Sequence, residues 1–460
     1  MDKTTRNILI TCGVILAVAC LCITAVVVGG AGLFMINQRT VSDPTAVVDL
    51  PTPMPTLPAE AESGLEAEIA EEMDLIQSQV IALRGLEPSS AVPRTLLSEA
   101  QLRENVMNDF LSDYTPEDAQ KDSAVLSLLG LLPEGFELID FYTELYSEQI
   151  AGYYDDEAKA MFVVQGTKFA GFEKMTYAHE YVHVLQDQTY DLSDGLGFNE
   201  ESCEEDSERC AAVQALIEGD ATVTEFEWFQ KYATPEDYKD VLDFYDSYAS
   251  PVFDSAPYYM QADFMFPYEK GQAFVQYLME KGKYRAVDAA FRDVPVSTEQ
   301  ILHPEKYPED TPIAVDLPDL TQTLGKDWEE FDRNVMGEWY TYLILSSAYE
   351  EDFRLETDTA YDAAEGWGGD TYLIYHNAET DELVFIMRSA FDSTRDLDEF
   401  QFALRDYADL RWGVSDKDTL GSFVWEGQDA FSAIYIEGDL VTWIIAPDQD
   451  TYRLIKSNLP

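Results

Sequence analysis

Basic residues are the first scarcity in this chain: 29 lysines and arginines stand against 88 aspartates and glutamates, a formal charge of −59 over 460 residues. A surface of that sign repels phosphate, which excludes nucleic acid as a partner. The acidity itself has two readings, a solubility device on an extracellular surface and an adaptation to high salt. Cysteine is also sparse. Of five cysteines, Cys12, Cys20 and Cys22 fall in an apolar N-terminal stretch, leaving Cys203 and Cys210 for the rest of the chain; a fold stapled by many disulfides is excluded. Histidine occurs four times, so a pattern that uses two of them stands out.

Two of the four, His179 and His183, sit in Thr-Tyr-Ala-His-Glu-Tyr-Val-His-Val-Leu-Gln-Asp-Gln, residues 176–188. Four apart on a helix, their imidazoles share one face and converge on one point, the grip of a metal-binding helix. Glu180 lies about 100° round the helix from His179, where its carboxylate reaches a metal-bound water without competing as a ligand. Ala178, Val182 and Leu185 form an apolar stripe on another face, as a core helix requires. A third ligand is found in the apolar run Leu216-Ile217-Glu218-Gly219-Asp220-Ala221. A lone acid there is costly unless paired or metal-bound, and the chain between His183 and Glu218 is long enough to bring a second helix alongside. Glu225 is the rival ligand. Two imidazoles and one carboxylate with water in the fourth place make an open, catalytic zinc site, one Zn2+ per chain.

The organisation follows from composition. Residues 1–7 carry Lys3 and Arg6, and no charge occurs from Asn7 to Gln38. The apolar stretch 8–36 is long enough for a membrane-spanning helix and too long for the core of an ordinary cleavable signal. With acids dominating beyond Arg39, the N-terminus is expected in the cytoplasm and the remainder outside, on a single-pass anchor. Residues 37–63 are a proline-rich linker. Cys203 and Cys210 would then share an oxidising compartment and are a candidate disulfide.

From Leu65 the apolar spacing is helical up to Gly85. A strand over Val92–Leu97, helices opened by Ser98 and Thr115, and a helix over Phe136–Ile150 follow. Ala151–Asp155 and Ala160–Gln165 read as a hairpin, and a long helix spans Ala211–Ala233. Ser297–Tyr307 is a capped helix start carrying His303 and Tyr307, the candidates for steadying an oxyanion. Beyond Asp327 the texture changes: Trp328–Tyr349 reads as helix, Gly366–Asp370 as a tight loop, then strands at Thr371–His376, Leu383–Met387, Gly421–Glu426, Phe431–Ile436 and Leu440–Ile445, with a helix from Ser393 and a hairpin turn at Gly438-Asp439. Residues 64–325 and 326–460 are expected to form two domains, the second α+β with an antiparallel sheet.

His-Glu-x-x-His followed by Glu218-Gly219-Asp220-Ala221 resembles the gluzincin metallopeptidases. More narrowly, Leu128-Leu129-Gly130-Leu131-Leu132-Pro133, Glu148-Gln149-Ile150-Ala151-Gly152-Tyr153-Tyr154-Asp155, Leu185-Gln186-Asp187-Gln188 and Ser297-Thr298-Glu299-Gln300-Ile301-Leu302-His303-Pro304 are similar to a poorly characterised group of exported, membrane-anchored bacterial and archaeal metallopeptidases. The resemblance covers roughly residues 65–325 and implies an α+β fold, a mainly helical zincin-like domain with a small edge-strand hairpin. It implies an extracytoplasmic zinc endopeptidase with Glu180 as base, acting on peptide or protein. It also implies that Tyr153 and Tyr154 lie on a strand that takes substrate backbone as an added strand. Thermolysin-like members carry an aspartate four residues after the third ligand, where this chain has Thr222; Asp187 and Asp220 are the candidates to orient a ligand histidine instead. The rival class is a non-catalytic, surface-anchored binding or scaffold protein with a structural or vestigial metal site.

Overall fold

The computed structural model describes residues 17–21, 65–111, 114–164, 168–418, 421–427 and 430–459. The expected N-terminal tail, membrane anchor and proline-rich linker therefore lie outside the described residues, apart from Ala17–Leu21, a strand here labelled β1. No described helix is long and apolar enough to cross a membrane.

The chain's first half is helical around one small sheet. Helix α1 (Ala67–Arg84) stops at Gly85, whose positive φ of 76° ends it in the left-handed conformation that glycine adopts without strain. After β2 (Arg94–Leu97) and α2 (Leu138–Gln149) come β3 (Ile150–Asp155) and β4 (Ala160–Val164). The strands lie in the order β1-β3-β4-β2: β3 is antiparallel to β4 and to β1, and β2 is parallel to β4. Next is α3 (Gly171–Tyr190), which carries the metal motif. Every residue from Met175 to Asp187 is buried, so this central stretch of the helix has no solvent face; α1, the sheet and its neighbouring helices enclose it. Ala178, Val182 and Leu185 fill the core beside it, as their spacing requires.

Helix α4 (Ser207–Tyr232) lies against α3 and against α5 (Tyr258–Gly282); α6 (Tyr284–Ala290) and the one-turn α7 (Thr298–Leu302) complete this half. Cys203 and Cys210 form the expected disulfide, with Cα atoms 5.2 Å apart, tying the short helix before α4 to its first turn.

The second half is a seven-stranded antiparallel sheet. Its strands are β5 (Trp328–Asn334), β6 (Trp367–Asn377), β7 (Leu383–Phe391), β8 (Asp416–Lys417), β9 (Phe423–Glu426), β10 (Phe431–Glu437) and β11 (Leu440–Ala446), in the order β5-β6-β7-β11-β10-β9-β8. Helices α8 (Gly337–Ser346), α9 (Thr394–Trp412) and α10 (Gln449–Lys456) belong to the same half. One face of the sheet, with Tyr372, Ile374, Phe385, Met387 and Trp443, shares a continuous core with α4 and α5 of the first half. Leu317 and Leu320 pack on the other face, so residues ahead of 325 serve the second half's core.

Two local expectations are corrected. Trp328–Tyr349 is a strand and then a helix: β5 is an edge strand whose ladder to β6 slips at Glu330/Asp332, and Gly337 at φ 74° is the first residue of α8. Strand β6 begins at Trp367, inside the expected loop, because Gly368-Gly369 forms a bulge in a strand that continues.

The junction between the halves is rich in buried acid. The Glu208 carboxylate accepts from the Thr298 amide and hydroxyl at 2.6 and 2.8 Å and presses on the Gly337 backbone, where a side chain would collide with it. Asp370 accepts from the amides of Met336 and Gly337, capping α8. Burial pushes the Asp370 carboxyl up to about 6 and Glu208 well above its ordinary value. Folded pKa values above the unfolded ones favour the fold fully below about pH 4, and that stabilisation is lost as pH rises through the folded values. The urea midpoint at fixed ionic strength should therefore fall between about pH 5 and 7.5. Glu208→Gln, which keeps the acceptor for Thr298, should flatten the fall. A midpoint that rises with pH over that window contradicts this account.

Candidate metal centre

The α3 backbone places His179 and His183 one turn apart, their ring centroids 4.8 Å from each other. Glu218 of α4 faces them: its Oε2 is 3.2 Å from His179 Nε2 and 3.6 Å from His183 Nε2, and one donor atom of each residue falls within 4.8 Å of the others. All three side chains are buried.

The second nitrogen of each ring decides what this arrangement can do. His179 Nδ1 is 3.0 Å from Glu225 Oε2, and His183 Nδ1 is 2.8 Å from Gln186 Oε1. Both partners are oxygen acceptors, so each Nδ1 carries the proton and, in the neutral ring, each Nε2 presents a lone pair. Two lone pairs and a carboxylate then face one another among buried side chains, and His183 Nε2 has no hydrogen-bond partner among the described residues. With both rings neutral such a donor set repels itself until a cation, a proton on His179 Nε2 or a metal ion, sits among its members, and two neutral imidazoles with one carboxylate are a donor set that suits zinc. Electrostatics agree. Burial opposes charge on His179, yet Glu218 and Glu225 raise its pKa well above the ordinary value. Glu218 is held below its own, against burial, by the two histidines. The pocket draws positive charge.

Glu180 is buried beside the histidines. Strand β3 passes directly over it: a side chain on Gly152 would come within 3.4 Å of Glu180 Cγ and 2.9 Å of Thr176 Cγ2. The Glu-Gln-Ile-Ala-Gly-Tyr-Tyr-Asp stretch thus owes its glycine to this close approach. Its Glu148 accepts from the amides of Val252 and Phe253.

Several sequence-based assignments change. Neither Asp187 nor Asp220 touches a ligand histidine. Asp187 accepts from Tyr154 OH and Lys159 Nζ, and Asp220 reaches His183 only through Gln186, whose Nε2 donates to Asp220 Oδ2 and to Ile217 O. Glu225, the rival ligand, is the carboxylate that orients His179. His303 and Tyr307 are not brought to the metal group: His303 Nε2 meets Glu338 at 2.8 Å, and Tyr307 donates to the Asp293 carbonyl. Tyr153 and Tyr154 are core residues, bonded through their hydroxyls to Asn105 and Asp187. Their strand is not a sheet edge, since β1 pairs with it at Ala19↔Tyr153 and Val18↔Tyr154.

A second group, Glu299, Asp310 and Asp392, has metal-like spacing. Lys306 already occupies its centre, 2.5 Å from Glu299, 2.8 Å from Asp392 and 3.7 Å from Asp310, so this is an ion-pair knot.

Comparison with known proteins adds one match: residues 322–456 fit a family model described as a domain of unknown function, DUF8575. No curated protein and no solved structure matches the chain.

Proposed function

We propose that this protein is a zinc-dependent metallopeptidase that hydrolyses peptide bonds on the outer side of a membrane. One observation carries the reading: two Nε2 lone pairs fixed by acceptors at Nδ1 converge on a buried carboxylate, with a second buried glutamate adjoining them. Zn2+ held by His179, His183 and Glu218 would polarise the scissile carbonyl and lower the pKa of a bound water toward about 7. The chain's own share of the work is divided. His179 and His183 hold their lone pairs in register, and burial of these side chains keeps bulk water from them. Glu180 takes the proton of the attacking water on its carboxylate and returns it to the leaving amine nitrogen.

The Cys203–Cys210 disulfide suits an oxidising exterior, whereas Ala17–Leu21 of the expected anchor pairs with β3 as strand β1, so the described residues lend the anchor no support. The complete burial of the ligands favours one rival, a structural metal in a non-catalytic surface protein.

Chelation separates the two. Removing about one equivalent of zinc should stop cleavage of a peptide library, and returning it should restore cleavage. Cleavage that survives full removal of metal sinks the proposal, and tightly held zinc with no cleavage supports the structural reading.

A further inference from the structure

The Gln186 amide is the hinge of a polar chain that leads away from the metal group. Its NH2 has two partners, Ile217 O at 3.0 Å and Asp220 Oδ2 at 2.9 Å, and both are acceptors. The amide oxygen is therefore the end that faces His183 Nδ1. Reversing it would aim the NH2 at Nδ1, require the proton on Nε2, and leave His183 unable to ligate. What fixes the amide is thus the position of Asp220.

Asp220 is positioned from another part of the chain. Arg84, the last residue of α1, lies with its Nε 2.8 and 2.9 Å from the two Asp220 oxygens and its Nη1 2.7 Å from Asp288 Oδ1. Its guanidinium sits 4.8 Å from the centre of the Tyr284 ring, and both side chains of the Arg84–Asp220 pair are fully buried. The planar guanidinium thus bridges two carboxylates, Nε on Asp220 and Nη1 on Asp288, and fixes them relative to each other as a flexible ammonium does not.

We infer that Arg84 is a positioning residue for the metal group, acting through Asp220 and Gln186 to hold His183 in its ligating tautomer, so that α1 is an integral part of the site and not a detachable pro-segment. The inference rests on the proposed zinc site. Three further bonds tie α1 to the site-bearing helices: Gln77 Nε2 to Tyr177 OH at 2.6 Å, Trp228 Nε1 to Gln79 Oε1 at 2.9 Å and Lys174 Nζ to Glu72 Oε1 at 2.9 Å. Cleavage within residues 37–63 would leave all of this in place, whereas cleavage just after Gly85 would free the helix that steadies His183.

The test is a double-mutant cycle on the full chain, read as zinc affinity by competition with a chromophoric chelator and as the visible spectrum of the cobalt-substituted protein. Arg84→Met and Gln186→Leu should each weaken zinc about 10- to 100-fold and alter the cobalt spectrum. The double variant should be little worse than either single one, because both break the same chain of contacts. Effects that multiply, or an Arg84→Met protein with wild-type affinity and spectrum, overturn the inference. Should Arg84→Met not fold, Arg84→Lys carries the same comparison: it keeps the charge but loses the fork, and a smaller coupled loss is expected. The parent site is checked first. A wild-type chain that holds no zinc, or loses none on His179→Ala, refutes the metal-site reading itself, whereas wild-type zinc binding with an inert Arg84 refutes only this step.

Discussion

Glu180→Gln should bind zinc as the wild type does and cleave at least about 10²- to 10⁴-fold more slowly, the range a positioned general base supplies. The expectation follows from where the residue sits. Glu180 shares α3 with both histidines, yet the converging donor atoms come from His179, His183 and Glu218. Replacing one carboxylate oxygen by an amide nitrogen leaves volume and packing nearly unchanged but removes the proton acceptor. Zinc content by elemental analysis and turnover of a fluorogenic peptide mixture read the two properties separately. Loss of turnover with metal retained supports a base. Undiminished turnover removes Glu180 from the mechanism, and loss of metal makes it part of the metal's support.

The site was legible where chemistry and helical spacing coincide. His179, His183 and Glu218 meet as their pattern requires, and so does the Cys203–Cys210 pair. The orienting residues carried a weaker signal. Gln186 is three residues after His183 and Glu225 seven after Glu218, each on its ligand's face, but nothing local separates an orienting acid from a ligand. Arg84 had no signal at all, because its partner Asp220 lies 136 residues away. His303 drew attention as one of few histidines, and only the fold reveals Glu338 as its partner, 35 residues on. The capping box at Ser98–Gln101 and the helix start at Thr115-Pro116 could be read locally because their signals are local. Strand β5 could not. Its sequence, Trp-Glu-Glu-Phe-Asp-Arg-Asn, carries no clean alternation, and pairing with β6 decides its conformation.

The glycine of Glu218-Gly219-Asp220-Ala221 has an equally physical reason, and it supports the other large prediction. Helices α4 and α5 cross backbone to backbone there. A Cβ on Gly219 would lie 2.2 Å from the Gly271 carbonyl oxygen, and one on Gly271 would lie 2.0 Å from that of Ala215. No rotamer change relieves a collision with main chain, so the two helices must move apart and reopen the core that Phe274, Leu216 and Ile217 fill. Alanine's intrinsic helix advantage is about 1 kcal/mol, whereas forced overpacking costs about 1–3 kcal/mol and sometimes more. Gly219→Ala should therefore be clearly destabilised despite its better helix propensity. Because Gly219 adjoins Glu218, the displacement should also reach the metal group, so that zinc affinity falls together with the melting temperature. Gly271→Ala makes the complementary test from the other helix, with no ligand next to it: a comparable drop in melting temperature with a smaller loss of zinc is expected. A Gly219→Ala protein that melts with the wild type and keeps its zinc would show that α4 and α5 are not in this contact.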